Sequence, residues 1–247
     1  MDSTDKTTIL LFIQFYSSYA EPEKCDKEQG LFFLIDTTSS NVYDSFCRLM
    51  AVLQMLVAAF NPSSTTGTKL YGVLFPRTLQ DTDPTTVFDL DDVCIKVIQD
   101  RLASLIEEYG KCAISAKYES KIFPSMCGTG TIAVIGLNKI AGVAEGTSLQ
   151  EEAVLMLTDG TISDPNNERE TVMNRLKSAG IETIIAARIG AGVDQNLIDY
   201  ADKEDNAIAD NDPIELGLDI VERLRVEGIL CDEHGEIPLL DCNYSYI

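Results

Sequence analysis

The sequence predicts an α/β fold with a doubly wound, mostly parallel central sheet and helices on both faces. Two observations predict it. Short, almost wholly apolar runs of strand length recur along the chain, and longer stretches with apolar residues at helical spacing alternate with them. Strands that are apolar on both faces are typical of parallel sheets covered by helices on each side. At 247 residues and 45% hydrophobic content, the chain can bury a large core.

The first predicted unit is a strand that feeds directly into a helix. Residues 30–38, GLFFLIDTT, form an apolar run that ends at an aspartate and two hydroxyls. Residues 41–60 form a long, mostly apolar helix, which Ser40 or Asn41 would cap. The strand end and the helix start are therefore separated by only a few polar residues.

The second unit follows the turn NPSSTTGT. Residues 69–75 form another apolar strand, and a shorter extended segment lies at 85–90. Residues 91–110 keep apolar side chains at helical spacing, so they predict a helix. Residues 111–126 are irregular and lead into a glycine-rich turn that opens a helix within 127–143.

The second half of the chain repeats the alternation. The predicted elements are strand 152–160, helix 166–180 ending at Gly180, strand 181–190, helix 194–202 and helix 213–228. Together these elements predict one domain over residues 30–228, preceded by a linker at 21–29 and followed by a tail at 229–247.

Residues 1–20 predict a cleaved signal peptide. An apolar stretch at 9–16 is followed by Ser18 and Ala20, small residues at the first and third positions before Glu21. The preceding segment is poor in basic residues, so an edge strand or a buried N-terminal segment stays open as the alternative. A signal peptide indicates a secreted, extracellular protein, and its retention would indicate a cytoplasmic one.

The seven cysteines include no Cys-x-x-Cys pair, and the chain has one histidine, so a structural zinc site is not indicated. Cys47 and Cys127 are predicted to be small core residues. Cys25 and Cys231 lie just outside the two ends of the predicted domain. A disulfide between them would fit a secreted protein.

The charge of the chain excludes several classes of partner. It carries 19 basic and 40 acidic residues, a net charge of −21, and lacks the Lys and Arg clusters that phosphate contacts require. Nucleic acids and anionic membranes are therefore not expected as partners. The apolar run 49–60 is too short to span a membrane, so no membrane insertion is predicted.

Polar side chains collect at three predicted strand-to-helix loops. Asp36, Thr38 and Ser40 alternate after the first strand, Thr129 lies in the glycine-rich turn, and Asp159 follows a later strand. Ligands of such sheets bind at the carboxyl ends of the strands, so these side chains should converge. Two carboxylates and three hydroxyls make a hard oxygen site that suits Mg²⁺ or Mn²⁺.

Each of the three loops also has a purely structural interpretation. Asp36 and Ser40 could cap the helix at 41–60, and Thr129 could cap the helix that follows it. Asp159 could be an ordinary turn aspartate. Their joint occurrence at three loops of one alternating pattern favours the metal site.

The three motifs resemble those of the von Willebrand factor type A domain. That family's metal-ion-dependent adhesion site has an Asp-x-Ser-x-Ser motif, a threonine in a glycine-rich turn and an aspartate in a Thr-Asp-Gly turn. Here they read DTTSS, CGTGTI and LTDG, in the same order, over about 200 residues. The resemblance implies that the metal-site residues are Asp36, Thr38, Ser40, Thr129 and Asp159.

The resemblance also implies a non-enzymatic function. A bound Mg²⁺, or Mn²⁺, would capture a carboxylate of a protein partner, such as an extracellular matrix or cell-surface protein. Three positions depart from the family pattern: Thr38 replaces a serine, Cys127 replaces a glycine and Gly130 replaces an asparagine. The departures keep the ligand types but bear on loop shape and partner choice.

Other functions stay open at this point. A metal-free scaffold in an intracellular assembly is the first alternative. A Mg²⁺-dependent phosphoryl-transfer enzyme with Asp36 as nucleophile is the second, although the expected neighbouring acid is replaced by Thr38. The run GTGTIA, residues 128–133, matches a dinucleotide-binding pattern, but no apolar strand precedes it.

The irregular segment before the Thr129 turn, residues 110–125, is predicted to form a rim that selects the partner. It contains Lys111, Lys117 and Lys121, the densest basic cluster in the chain. The ordinary interpretation of such lysines is a solvated loop.

Overall fold

A computed structural model of the chain describes most of the predicted domain. It covers residues 28–38, 43–60, 68–75, 83–92, 95–115, 120–124, 126, 132–160, 162–190 and 192–230. The predicted signal peptide, most of the predicted linker and the predicted Cys25–Cys231 bridge lie outside these residues, as do Ser40, Thr129 and nearly all of the predicted tail.

The described residues form a six-stranded sheet with helices on both faces, which confirms the predicted α/β class. The strands are β1 (Gln29–Ile35), β2 (Thr68–Leu74), β3 (Thr86–Phe88), β4 (Glu151–Thr158), β5 (Thr183–Ile189) and β6 (Ala207–Asp210). The helices are α1 (Tyr43–Phe60), α2 (Ile95–Ile114), α3 (Val134–Ala144), α4 (Asn166–Ser178), α5 (Gln195–Ile198) and α6 (Pro213–Val226). A 3₁₀ turn at Glu204–Asn206 precedes β6.

The strand order is β3-β2-β1-β4-β5-β6, and every neighbouring pair is parallel except β2 and β3. The chain winds outward from β1 in one direction and outward from β4 in the other. The order therefore reverses between β1 and β4. Sheets of this kind bind ligands at such a reversal, outside the carboxyl ends of the strands.

Both faces of the central strands are apolar because each face is covered. Alternate residues of β1 enter different cores: Leu31, Phe33 and Ile35 pack with α1, α2 and α6, whereas Phe32 and Leu34 pack with α3 and α4. All five side chains are fully buried. This two-sided burial is the reason that the strands appear in the sequence as continuous apolar runs.

Three elements differ clearly from the prediction. Helix α2 continues to Ile114, so the first residues of the predicted irregular segment are helical. The predicted helix at 194–202 is a single turn, Gln195–Ile198, capped by the Asp194 carboxylate, which accepts the Leu197 N–H. Strand β6 was not predicted, because it has four residues within an acidic stretch and only one branched aliphatic side chain.

Among the described residues, α1 is the one helix that is long and apolar enough to cross a membrane by length and composition. This corrects the prediction that its apolar run, residues 49–60, is too short. Just over half of α1, 56%, is buried inside the fold. Its apolar length is therefore accounted for by its place between the sheet, α2 and α6. Cys47 on α1, predicted as a core residue, is only partly buried.

Candidate metal centre

Asp36 begins the loop that leaves β1 and is completely buried. Its backbone N–H donates to the Leu157 carbonyl of β4 at 2.9 Å, which extends the β1–β4 ladder by one residue. Its carboxylate is held on both oxygens. Oδ1 accepts the Thr38 N–H at 3.0 Å, and Oδ2 accepts the Thr158 hydroxyl at 2.7 Å.

Asp159 follows β4 directly and is partly buried. Since Ile35 pairs with Leu157 across the sheet, the loops that leave β1 and β4 start side by side. The preceding residue, Thr158, organises this loop as well, because its hydroxyl accepts the Gly160 N–H at 3.1 Å. One hydroxyl therefore links the Asp36 carboxylate to the loop that carries Asp159.

Burial disfavours the charged form of both carboxylates, and the charge of Asp36 adds to this effect at Asp159. Burial raises the pKa of Asp36, and the hydrogen bonds from Thr158 and Thr38 lower it only in part. Burial, followed by the charge of Asp36, raises the pKa of Asp159 to about 7. No basic side chain of the described residues acts on either pKa. A divalent cation between them would supply the missing positive charge.

Tyr109 of α2 contacts the loop that carries Asp36 and Thr38. Its hydroxyl donates to the Thr38 carbonyl at 3.0 Å, and its ring stacks on Phe46 of α1 with 3.8 Å between centroids. Burial, and then the charges of Asp159 and Asp36, raise the pKa of Tyr109. The phenol is therefore a neutral donor close to both carboxylates.

The structure describes three of the five residues predicted as metal ligands. It joins Asp36 to Thr38 by hydrogen bonds and places the charge of Asp36 within electrostatic reach of Asp159. Ser40 and Thr129 lie outside the described residues, and the ligand role of all five stays a prediction. Thr158 and Tyr109 were not predicted as members of this site. Thr158 adjoins a predicted ligand, but nothing local marks Tyr109, 71 positions from Thr38.

The donor chemistry fits a hard cation. The described residues contain no group of three or more His, Cys, Asp and Glu side chains that could hold a metal ion, so a charge-rich or imidazole site is not formed there. The atoms that gather are carboxylate and hydroxyl oxygens, which suit Mg²⁺ or Mn²⁺. The buried Thr37 hydroxyl has no hydrogen-bond partner among the described residues, so its oxygen is not committed to another contact there.

Comparisons with known proteins rest on structure, because no family model matches the sequence and no curated protein matches it significantly. Manganese-loaded TRAP protein of Plasmodium vivax aligns with 86% of this chain and 77% of its own, at 17% identity and a TM-score of 0.62. The von Willebrand factor domain of the type V pilus tip protein Mfa5 from Porphyromonas gingivalis aligns over 89% of this chain and 99% of its own, at 12% identity and a TM-score of 0.59. This chain has the von Willebrand factor type A fold.

Proximal thread matrix protein 1 of the mussel byssus is a further structural neighbour of this chain. It has 21% identity and a TM-score of 0.55, and one of its crystal structures has zinc in the metal-ion-dependent adhesion site motif. The alignment covers 82% of this chain but only 46% of the mussel protein, so this chain spans a little under half of that protein's length. Manganese was observed in the Plasmodium protein and zinc in the mussel protein.

Proposed function

We propose that this type A domain binds Mg²⁺ or Mn²⁺ and captures a carboxylate of a protein partner. The observation that carries the proposal is the pair of acids at the carboxyl ends of β1 and β4. Asp36 is fully buried and Asp159 has a pKa of about 7, with no basic side chain of the described residues acting on either pKa. Such a pair stabilises a cation more than it stabilises the metal-free fold.

Each predicted ligand has a role in this proposal. Asp36, Thr38 and Ser40 hold the ion or its waters, Thr129 contributes when a partner is engaged, and Asp159 ligates directly or through water. A bound ion with only two protein carboxylates keeps positive character, which attracts an anionic group of the partner. Thr158 and Tyr109 hold the Asp36 loop without contacting the ion.

The charge of the chain explains why an anionic partner would need the metal. A surface with a net charge of −21 repels acidic ligands at long range, whereas a divalent ion attracts a carboxylate strongly at contact. Mg²⁺ is the proposed physiological ion, with Mn²⁺ as the substitute.

The partner contacts the rim predicted at residues 110–125. Ile114 and Ile122, at the end of α2 and just beyond it, are 71% and 61% exposed. They offer exposed apolar area on the segment that follows Tyr109, whose hydroxyl donates to the Thr38 carbonyl of the Asp36 loop. Lys111 does not contribute a free charge to this rim, because its ammonium pairs with Glu107 at 3.1 Å and with Glu108 at 2.5 Å.

An extracellular location is part of the proposal. The signal-peptide pattern of residues 1–20 supports it, and the structural neighbours include a byssus thread protein and a pilus tip protein. The disulfide between Cys25 and Cys231 belongs to the same proposal. A cytoplasmic, metal-free scaffold is the alternative that absence of metal binding would favour.

The test is calorimetric titration of Mg²⁺ and Mn²⁺ into protein stripped with a chelator, beside an Asp36→Asn variant. We expect one site with micromolar to millimolar affinity in the unmodified protein and no site in the variant, because asparagine keeps the shape but removes the charge. Asp202→Asn is the matched control: Asp202 bonds the Ile184 N–H at 2.8 Å near the amino end of β5. Failure of the unmodified protein to bind either ion would refute the proposal.

A further inference from the structure

A further carboxylate, Asp164, lies in the loop that follows β4 and bonds the start of α3. Oδ2 of Asp164 accepts the backbone N–H groups of Ala133 at 2.9 Å and Val134 at 3.0 Å. These residues form the start of α3, 31 and 30 positions earlier in the chain. Helix α3 has no capping side chain of its own, because Ala133 occupies the cap position. Asp164 therefore caps this helix from a distant loop.

The position of Asp164 in the chain gives this cap its significance. Asp164 is in the loop that begins with Asp159, and Ala133 follows Thr129 by four residues. A single carboxylate thus ties the loop of one proposed ligand to the segment that follows another. The negative charge also complements the partial positive charge of the α3 amino end, which strengthens the tie.

The cap is itself held in place from the other side. The Tyr200 hydroxyl donates to the same oxygen of Asp164 at 2.5 Å. Arg169 lies over the Tyr200 ring, 5.6 Å from its centroid, and pairs with Asp199 at 2.9 Å. The loop is anchored a second time two residues before Asp164.

That second anchor joins Asn196 of α5 to Ile162. The Ile162 N–H donates to Asn196 Oδ1 at 3.0 Å, and Asn196 Nδ2 donates to the Ile162 carbonyl at 2.9 Å. The loop after β4 is thus fixed to α5 on one side and, through Asp164, to α3 on the other. It has little freedom to adjust unless one of these bonds breaks.

We propose that Asp164 is a positioning residue that fixes the start of α3 against the loop after β4, and through these two segments sets the affinity for the metal ion. This inference rests on the proposed function. Replacing a residue that orients a metal ligand through a hydrogen bond typically weakens metal affinity about 10-fold to 100-fold. Asp164 makes no contact with the ion and contributes only through the two loops that it joins.

The test compares Asp164→Asn with Asp202→Asn by Mn²⁺ calorimetry on the full chain, with thermal unfolding recorded for both. Asp202 is the matched control because it too is a loop carboxylate that accepts a distant backbone N–H, from Ile184, and a side-chain donor, from Asn206. We expect Asp164→Asn to weaken Mn²⁺ binding about 10-fold or more. We expect Asp202→Asn to change it less than about twofold, because Asp202 bonds the amino end of β5, whereas the candidate site is at the carboxyl ends of the strands.

Amide exchange supplies a readout that general destabilisation does not produce. Coupling between two sites is reciprocal, so Mg²⁺ should slow exchange of the Ala133 and Val134 amides in the unmodified protein and not in Asp164→Asn. Tyr200→Phe removes only one donor to Asp164 and should weaken binding in the same direction by less. This milder variant serves if Asp164→Asn does not fold.

Each outcome decides between the two proposals. Equal Mn²⁺ affinity in Asp164→Asn and the unmodified protein would overturn the positioning role and leave the proposed function intact. Equal weakening by Asp202→Asn would also overturn it, because the effect would then follow stability and not geometry. No Mn²⁺ binding by the unmodified protein would refute the proposed function and the positioning role together.

Discussion

At the scale of single residues, the candidate centre holds two acidic side chains whose charged forms are unfavourable in the metal-free protein. Asp36 and Asp159 are brought together without a basic side chain of the described residues acting on either pKa. Buried acids with raised pKa values are often found at functional sites.

The raised pKa of Asp159 gives the metal-free protein a specific pH dependence. The carboxyl has a pKa of about 7 in the fold and about 3.9 in an unfolded chain, so between these values the folded state binds more protons. The free energy of unfolding should therefore fall as pH rises from about 4 to about 7. Urea denaturation of chelator-treated protein across this range measures the slope.

Asp159→Asn is the control for this slope. The variant should lose the part of the slope that Asp159 contributes, because it has no proton to release. Metal affinity should show the opposite trend in the unmodified protein and rise with pH, since the ion competes with that proton. A metal-free stability that does not depend on Asp159 between pH 4 and 7 would contradict the prediction.

Removal of one atom, the hydroxyl oxygen of Tyr109, tests whether this side chain stabilises the Asp36 loop. Tyr109→Phe removes the donor to the Thr38 carbonyl and leaves the ring stacked on Phe46. We expect a loss of about 1–3 kcal/mol in the free energy of unfolding, because a buried carbonyl loses its partner. We also expect Mn²⁺ affinity to fall about 10-fold, because the loop loses an outer hydrogen bond.

Tyr71→Phe is the matched control for Tyr109→Phe. Tyr71 is also a buried tyrosine, and its hydroxyl bonds Thr86 Oγ1 at 3.1 Å, between β2 and β3 and away from the metal loops. Its removal should reduce stability and leave Mn²⁺ affinity unchanged in calorimetry. Equal loss of affinity in both variants would show that the Tyr109 hydroxyl has no special role.

At the scale of helices and strands, most of the fold could be predicted because it depends on local patterns. Residues 31–35 and 153–157 are apolar on both faces because helices cover both, and this produces a recognisable continuous run. Strand β6 was not predicted, because its pairing with β5 stabilises a segment that has little strand character of its own. The hydrogen bonds of Asp164 and Tyr109 join residues 30 or more positions apart, which no local pattern reports.

The packing of α3 on β1 predicts opposite effects for the same substitution in one helix. A Cβ added at Gly136 would lie 2.4 Å from Leu34 Cδ1, and Leu34 is fully buried, whereas Gly142 is exposed. Gly136→Ala should lower the free energy of unfolding by about 1–2 kcal/mol through overpacking. Gly142→Ala should raise it by about 0.5–1 kcal/mol, because alanine favours the helix.

Urea denaturation of the two alanine variants gives both values under one set of conditions. Changes of the same sign would show that α3 can move away from β1 without loss. The close approach matters for the site because α3 begins just after the Thr129 turn.

At the scale of the whole molecule, the net charge of −21 should act on the ion and on the partner in opposite directions. Raising the salt concentration from about 20 mM to about 150 mM shortens the screening length from roughly 20 Å to about 8 Å. Mg²⁺ affinity should then fall, because the acidic surface attracts the ion less. The association rate of an acidic peptide with the metal-loaded protein should rise, because repulsion is also screened.

Stopped-flow fluorescence with a labelled acidic peptide measures this rate, and calorimetry measures Mg²⁺ affinity in the same buffers. A peptide with asparagine in place of each aspartate is the control and should not bind. An association rate that falls with salt would indicate a local positive surface instead of capture by a bound ion.

The topology also has a mechanical consequence. Gln29 Nε2 reaches the Gly228 carbonyl at 3.4 Å, so the start of β1 and the end of α6 adjoin at the amino ends of the strands, while Asp36 lies at the opposite end of β1. A pull between a partner held at Asp36 and the start of the domain runs along β1. The ladders to β2 and β4 each span seven register pairs, Gln29 to Ile35. Their hydrogen bonds would be loaded together in shear, so tension would have to break many of them at once instead of opening them one by one.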